Sequence, residues 1–460
     1  MTPPLVLVVA LWVLRGLAAA PSTLVAGALD RDLAAHSWVI WYANQAAEVA
    51  NHPLGADFYP LERANLLIEG SLYTLVGATW AHNLACLLAL VLAGVGGAAL
   101  GRAVSPRPWA VPLGALLLET SPPVLEALND GFFEFSWLGL PALALAALWR
   151  RSWWAIPAIA LTGWACWYYA LVLGLAGLSL AAMRRDWHPL AALAIGGVLL
   201  LPWAWHFSAS DLEVETASST IVDQPITRLR PWEPFGHLHP FWAMALLPAL
   251  AGARKHAPWV VIALLGWVLS WGSELWGVPM PFRALNEALR LLARPMHLPA
   301  HMAVLPVLAA VALACAARLR WWTGLAVGAA LLTPGSAVSE LPDPSILHDL
   351  EGGALLELPS ILEDDQQALD REALHQRVHG RPIPRFPIFP TSELRREGRD
   401  RVLADPWIQG LQSGQSGPFT LSGTSWVLVD EGSSLAPLVE ASLGPPAREG
   451  DGLLLFQVRP

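Results

Sequence analysis

Apolar runs of near membrane-spanning length, repeated down most of the chain and edged by tryptophan and arginine, constrain the fold more than any motif in the sequence. A bilayer core about 30 Å thick is crossed by a helix of about 20 apolar residues. Inside it every backbone polar group must be satisfied within the protein, which leaves helices or closed barrels. Roughly eleven stretches of about 17–22 residues meet the requirement. Their cores are 4–22, 79–99, 108–122, 134–149, 152–167, 168–183, 188–206, 240–253, 257–272, 298–316 and 321–337. Composition agrees: 14% of residues are charged, against about a quarter in a soluble domain. The 24 tryptophans suit belts at the headgroup level.

Arginines set the expected orientation, because cytoplasmic loops collect positive charge. Arg102 and Arg107, Arg150 and Arg151, Arg184 and Arg185, Arg254 and Lys255, and Arg318 and Arg320 fall in every second loop. That pattern predicts a cytoplasmic N-terminus, an external C-terminus and long outer loops at 23–78, 207–239 and 273–297. "LRGLAAAPS" has the look of a cleavage site, but no basic segment precedes it, so a retained first span is expected. The fifth and sixth spans join at "GWACWYY", whose aromatics read as packing or belt residues. One long buried helix is the alternative there, and it would break the parity.

Composition changes after Ala337, dividing the chain into a membrane domain, 1–337, and an extracytoplasmic domain, 338–460. In the latter, 353–360, 425–431 and 452–458 read as short buried strands. Residues 361–378 have helical spacing, and 434–444 is a short helix ended by glycine. The expected fold class is a mainly α polytopic bundle with a small C-terminal α/β domain. No basic patch calls for nucleic acid, and there is no Walker loop or G-x-S-x-G elbow. Cys86, Cys166 and Cys315 all fall in apolar runs. They are expected to be buried thiols, with neither disulfide nor zinc site.

The chain leaves its first span through "GALDRDLAAHSWVIWYANQAAEVANHP". Asp30 can cap a helix running to Ala50. Asp32 and His36 are four apart on one face. Trp38, Trp41 and Val49 suit the bilayer interface, and Pro53 ends the helix.

An acid opening a long outer loop after one span resembles the GT-C superfamily of membrane glycosyltransferases. Several stretches resemble a poorly characterised bacterial branch of it: "DLAAHSW" (32–38), "GWACWYYALVLG" (163–174), "LARPMHLPAHMAVL" (292–305), "LLELP" (355–359) and "VHGRPI" (378–383). The resemblance implies transfer of a sugar from a polyprenyl-phosphate-linked donor to a lipid, glycan or protein acceptor, at the outer face of the inner membrane. It puts Asp32 in the place of the base or orienting acid, with Asp30 as the competing choice and His36 alongside. "NDGFFEF" offers Asp130 and Glu134 for a divalent cation, Mg or Mn, though Asp130-Gly131 also reads as a turn. No "WWDYG"-type signature accompanies them.

The donor phosphate needs cations. Arg290 and Arg294 share a helical face between Pro281 and Pro295, with His297 nearby; pairing of Arg290 with Glu287 is the structural alternative. Arg15, inside the first apolar run, suggests a phosphate ligand or an ion pair. Arg228, Arg230, His237 and His239 belong either to the site or to a solvated loop. A transporter or flippase for a lipid-linked glycan, or a non-catalytic GT-C-like scaffold, remain the alternative functions. Expected partners are the lipid-linked donor and membrane lipids.

Overall fold

A computed structural model describes residues 2–29, 32–43, 63–131, 136–202, 253–272, 274–275, 278–292, 302–317, 328, 332–363, 366–385 and 393–458. The chain forms two compact units. One holds Met1–Ala28, Pro60–Ala209 and Thr216–Ser339; the other holds Leu29–Tyr59, Ser210–Glu215 and Glu340–Pro460. In chain order the first half contains α1 (Thr2–Val13), β1 (Leu24–Ala26), α2 (Leu33–Tyr42), α3 (Arg63–Val76), α4 (Ala78–Val104), α5 (Ala110–Glu119), α6 (Pro122–Asp130), α7 (Gly139–Trp149), α8 (Ala155–Ala165), α9 (Trp167–Arg184) and α10 (His188–Val198). There follow α11 (Ala253–Leu269), β2 (Glu274–Leu275), β3 (Val278–Pro279), α12 (Pro281–Leu292), α13 (Val304–Ala316) and β4 (Val338–Glu340). Last come β5 (Ala354–Leu358), α14 (Gln366–His379), α15 (Glu393–Leu403), α16 (Pro406–Gln412), β6 (Thr424–Asp430), α17 (Ala436–Leu443), β7 (Arg448–Gly450) and β8 (Leu453–Gln457).

The core of the helical unit is largely apolar, but its helices are less even than expected. Among the described residues, α4 and α9 alone are long and apolar enough to cross a bilayer; the other apolar helices have 10–17 residues. Identifiable breaks shorten them. The 4–22 run stops being α-helical after Val13 and continues as a 3-10 turn over Arg15–Ala19. The 108–122 run ends where Pro122 and Pro123 open α6, since proline fits a first turn but not an interior. Pro258 kinks α11 at His256. Cys166 is extended, so "GWACWYY" is a helix–break–helix rather than one long helix. The expected spans at 240–253 and 321–337 lie almost wholly outside the described residues.

Small residues bring the backbones together. A Cβ on Gly97 would stand 2.1 Å from the Gly114 carbonyl oxygen, and one on Gly114 would stand 2.2 Å from the Gly97 oxygen. Gly96 meets Gly139 and Gly101 meets Ala110 in the same way. Membrane helices associate through this kind of close packing, because lipid supplies no hydrophobic drive between them.

Polar contacts define the two ends of this unit. Arg150 donates to the Arg102 carbonyl, Arg107 to Ala317, Arg184 to Trp149, and Arg151 pairs with Asp186 at 2.6 Å. The arginine-bearing loops after α4, α7 and α9 therefore gather at one end, together with the end of α13. Helix α4, at 1.5 Å per residue roughly 40 Å long, carries its other end away to β1. There Gly27 N–H bonds the Ala337 carbonyl, and Ser339 Oγ donates to Gly27 O.

The second unit is α/β. Its sheet runs β5-β6-β8-β7, with β5 and β6 parallel and the other pairs antiparallel. Leu356, Leu358, Val427, Val429 and Phe456 face Trp407, Ile408 and Val439. On the opposite face Leu355, Trp426, Leu428 and Leu455 cover Ile346 and Leu347. The alternation is that of strands buried on both sides. Helix α14 lies in the connection from β5 to β6 and packs against α2.

Candidate functional site

In the helical unit, the end remote from the arginines holds a buried polar cluster. Gly77 has φ +81, a conformation glycine adopts without steric cost, and it turns α3 into α4. That turn brings Glu69 and His82 together. His82 Nδ1 lies 3.1 Å from Glu69 Oε1, and Nε2 lies 2.9 Å from the Ala26 carbonyl oxygen and 3.5 Å from Cys86 Sγ. A carbonyl only accepts, so Nε2 carries a hydrogen. One further proton must then sit between Nδ1 and the carboxylate, on one or the other. Next to it, Asn83 clamps β1: its Oδ1 accepts from Ala26 N–H, and its Nδ2 donates to Leu24 O. The cluster can hold and exchange one proton. Gly77→Ala is expected to cost about 1–3 kcal/mol, because φ +81 with ψ 169 is a backbone conformation essentially confined to glycine, and to loosen this pair; thermal unfolding of the purified chain would register the loss.

Asp130 ends α6 at the same end, directly before Gly131 in the left-handed region at φ +75. The preceding Asn129 accepts from Ala337 N–H through Oδ1 and from Ala28 N–H through its carbonyl. Asp130-Gly131 is thus a helix terminus, and Glu134 lies outside the described residues. Arg15 is not in mid-span. It follows the end of α1, donates to the carbonyls of Trp12 and Thr333, and lies over the Trp12 ring at 4.4 Å. A cation there meets the orphan carbonyls of a helix C-terminus.

Helix α12 occupies part of the expected phosphate-binding segment. Phe282 is buried, Leu285 packs on the core, and Arg283 and Glu287 are exposed. The helix is therefore amphipathic, with apolar positions 282 and 285 set against charged positions 283 and 287. Arg290 belongs to its last turn; its side chain, like Arg294 and His297, lies outside the described residues, as do Arg228, Arg230, His237 and His239.

In the second unit, the N-cap position of α2 is taken by Asp32; the expected capping residue, Asp30, lies outside the described residues. The Asp32 carboxylate accepts no hydrogen bond from the helix N–H groups; its backbone carbonyl takes His36 N–H. The described helix ends at Tyr42. His36, Trp38 and Trp41 are all buried. The helix expected at the bilayer surface is buried at these positions and packs on α14. Trp38 donates through Nε1 to Gln376 Oε1 at 2.7 Å and stacks on Tyr42 at 4.6 Å. An amphipathic pattern does not distinguish lipid from protein as the apolar neighbour, and here the neighbour is α14.

Three separate sequence stretches meet in this unit. Gln376, held by Trp38 of 32–38, donates to the Arg381 carbonyl of 378–383. Leu355 N–H of 355–359 bonds the Pro382 carbonyl. Glu357, at the carboxyl end of β5, lies 3.1 Å from His375 Nδ1 and 3.1 Å from Arg371 Nε, and accepts from Ser360 Oγ. Arg371 also reaches Asp430 at the carboxyl end of β6. Burial alone would raise the Glu357 carboxyl, but His375 and Arg371 hold it below the ordinary range. Burial alone would lower His375, but the Glu357 carboxylate raises it. Burial pushes His379 down to about 3, leaving it neutral. Sequence reading missed Glu69–His82 and Glu357–His375, whose members lie 13 and 18 residues apart across a turn or a strand–helix junction.

No protein-family model matches the chain, and no curated protein matches it. A crystal structure of ArnT from Cupriavidus metallidurans bound to undecaprenyl phosphate is similar over 99% of this chain and 99% of that one, with 13% identity and a TM-score of 0.44.

Proposed function

We propose that this chain is a membrane glycosyltransferase. It passes a sugar from a polyprenyl-phosphate-linked donor to a lipid, glycan or protein acceptor at the outer face of a bacterial inner membrane. The observation that carries the reading is the place of Asp32, at the N-cap position of α2, the first α-helix after α1. A carboxylate in that place suits a base, or an acid that orients the acceptor. The arginine loops gathered at one end of the helical unit support that end as the cytoplasmic one. Arg290, Arg294 and His297, on and just after α12, are the proposed ligands of the donor's lipid phosphate. A divalent cation at Asp130 and Glu134 belongs to the proposal, and loss of turnover on chelation, restored by Mg or Mn, is its check.

The test is transfer from a polyprenyl-phosphate-linked sugar by the reconstituted full chain. Asp32→Asn keeps shape and removes charge, so turnover is expected to fall about a hundredfold to ten-thousandfold with the protein folded at normal level. Full activity in that variant overturns the assignment. Arg294→Ala is expected to weaken donor binding by about 2 kcal/mol, roughly thirtyfold, the value of a hydrogen bond to a charged group. Unchanged binding with an easier thermal transition would make Arg294 structural.

One observation favours a flippase for a lipid-linked glycan as second reading. Glu119 is buried in the helical unit opposite Gly94, with the Ala10 backbone beside its carboxyl and no side-chain partner among the described residues. Ionisable groups at such depth mark pathways in transporters. Loss of lipid-linked glycan translocation in Glu119→Gln, with sugar transfer absent in the parent chain, would select that reading.

A further inference from the structure

The arginine-bearing end carries a feature that neither sugar transfer nor translocation uses. Arg151 and Arg185 both have left-handed backbones, at φ 57 and 51, where α7 and α9 stop. Glycine fills such helix ends without strain, so two arginines there ask for a reason in their side chains. Arg150 and Arg184 precede them, giving four guanidinium groups with Asp186 as the carboxylate between the two loops. Burial alone would raise the Asp186 carboxyl, but the His188 N–H and the Arg151 guanidinium hold it below the ordinary range. It therefore stays ionised and neutralises one cation, leaving three.

Around this charge the surface is aromatic. Trp153, Trp154 and Trp187 are 51%, 78% and 68% exposed, and Trp153 and Trp187 sit 6.3 Å apart. The Trp153 ring packs at 4.7 Å on His188. His188 is buried, and both its ring nitrogens lack a hydrogen-bond partner among the described residues.

We infer that loops 150–154 and 184–188 form a binding site for an anionic phospholipid. Its phosphodiester lies among Arg150, Arg184 and Arg185, the three cations that Asp186 leaves uncompensated, and its glycerol and upper acyl segments lie on the three tryptophans. Charge complementarity fixes the sign of the headgroup. Exposed indoles beside the arginines favour an amphiphile over a free anion, since a phosphate ion gains nothing from apolar rings. A headgroup oxygen would also supply the partner that buried His188 lacks. Basic pockets between membrane helices bind lipid headgroups on the same principle.

The test is native mass spectrometry of the purified full chain, with dioleoyl-phosphatidylglycerol and dioleoyl-phosphatidylcholine offered together. The wild-type chain is expected to retain phosphatidylglycerol at about a tenth of the concentration needed for phosphatidylcholine. Arg185→Gly removes the cation and relieves the backbone, so it should lower phosphatidylglycerol retention about tenfold while thermal stability stays equal or rises. Trp154→Ala should weaken retention several-fold with no change in unfolding. Equal retention of the two lipids overturns the proposal, as does displacement by an equal concentration of glycerol 1-phosphate. So does normal retention in Arg185→Gly.

Discussion

Gly97→Val is expected to destabilise the helical unit severely, by about 3 kcal/mol. The α4–α5 contact is backbone against backbone, and any Cβ at position 97 would stand 2.1 Å from the Gly114 carbonyl oxygen and 2.7 Å from its carbon. No rotamer relieves that overlap, because the obstructing atoms are main chain. The helices must part, and Leu113, Leu117 and Leu118 then lose the packing that buries them. Overpacking of this kind costs about 3 kcal/mol, a large fraction of a typical total stability. Gly174→Ala is the control, since a Cβ there meets nothing within 4 Å. It should stabilise by about 0.5 kcal/mol, the helix-interior penalty of glycine removed. Thermal unfolding in detergent, followed by tryptophan emission, compares the two; equal transitions for Gly97→Val and the parent chain would mean that α4 and α5 are not held at this distance.

Glu357→Gln should produce the second large effect, in the α/β unit. Glu357 is 2% exposed and holds His375, Arg371 and Ser360 at once. Removing one partner of a buried ion pair costs about 3–5 kcal/mol. The lower end applies, because Arg371 is 34% exposed and solvent screens its charge. The same network predicts a pH optimum. The carboxyl of Glu357 is depressed, so its stabilisation is present above the unfolded value near 4.3 and is lost as pH falls through the folded one. His375 is raised, so its contribution is complete below about 6.5 and is lost as pH rises through the folded value. Denaturation of the parent should show greatest stability between about pH 4.5 and 6.5. The slopes on both sides should flatten in Glu357→Gln, and a variant keeping both slopes would assign them to other groups.

The sequence was most readable where one physical rule acts alone. Strands β5 and β8 fall inside 353–360 and 452–458, and β6 begins one residue ahead of 425–431, because a buried run between turn residues leaves little choice. Helix α17 ends at Gly444, with φ +87. Span lengths were less legible, since a hydropathy run does not register that Cys166 is extended or that Pro122 and Pro123 start a new helix. The hardest reading was α2. Trp38 and Trp41 have the spacing and chemistry of interface anchors, and only the long-range bond to Gln376 distinguishes a protein neighbour from lipid. Glu69 with His82 was hidden for a similar reason: two ordinary helical residues become a pair once Gly77 sets the angle between their helices.

The bond from Trp38 to Gln376 spans 338 residues, and this separation bears on how the chain is made. At about 5–20 residues per second, a ribosome needs roughly 20–70 s to travel that distance. Throughout that interval the segment bearing Asp32 has emerged while the helix it packs on does not yet exist. The buried faces of Trp38, Trp41 and Tyr42 must wait, shielded by something other than their final neighbour. A chain cut short anywhere before α14 would therefore present an unfinished Asp32 segment, however complete its helical unit. Synthesis itself thus acts as a checkpoint: the proposed catalytic acid reaches its native setting only after nearly the whole polypeptide has been produced.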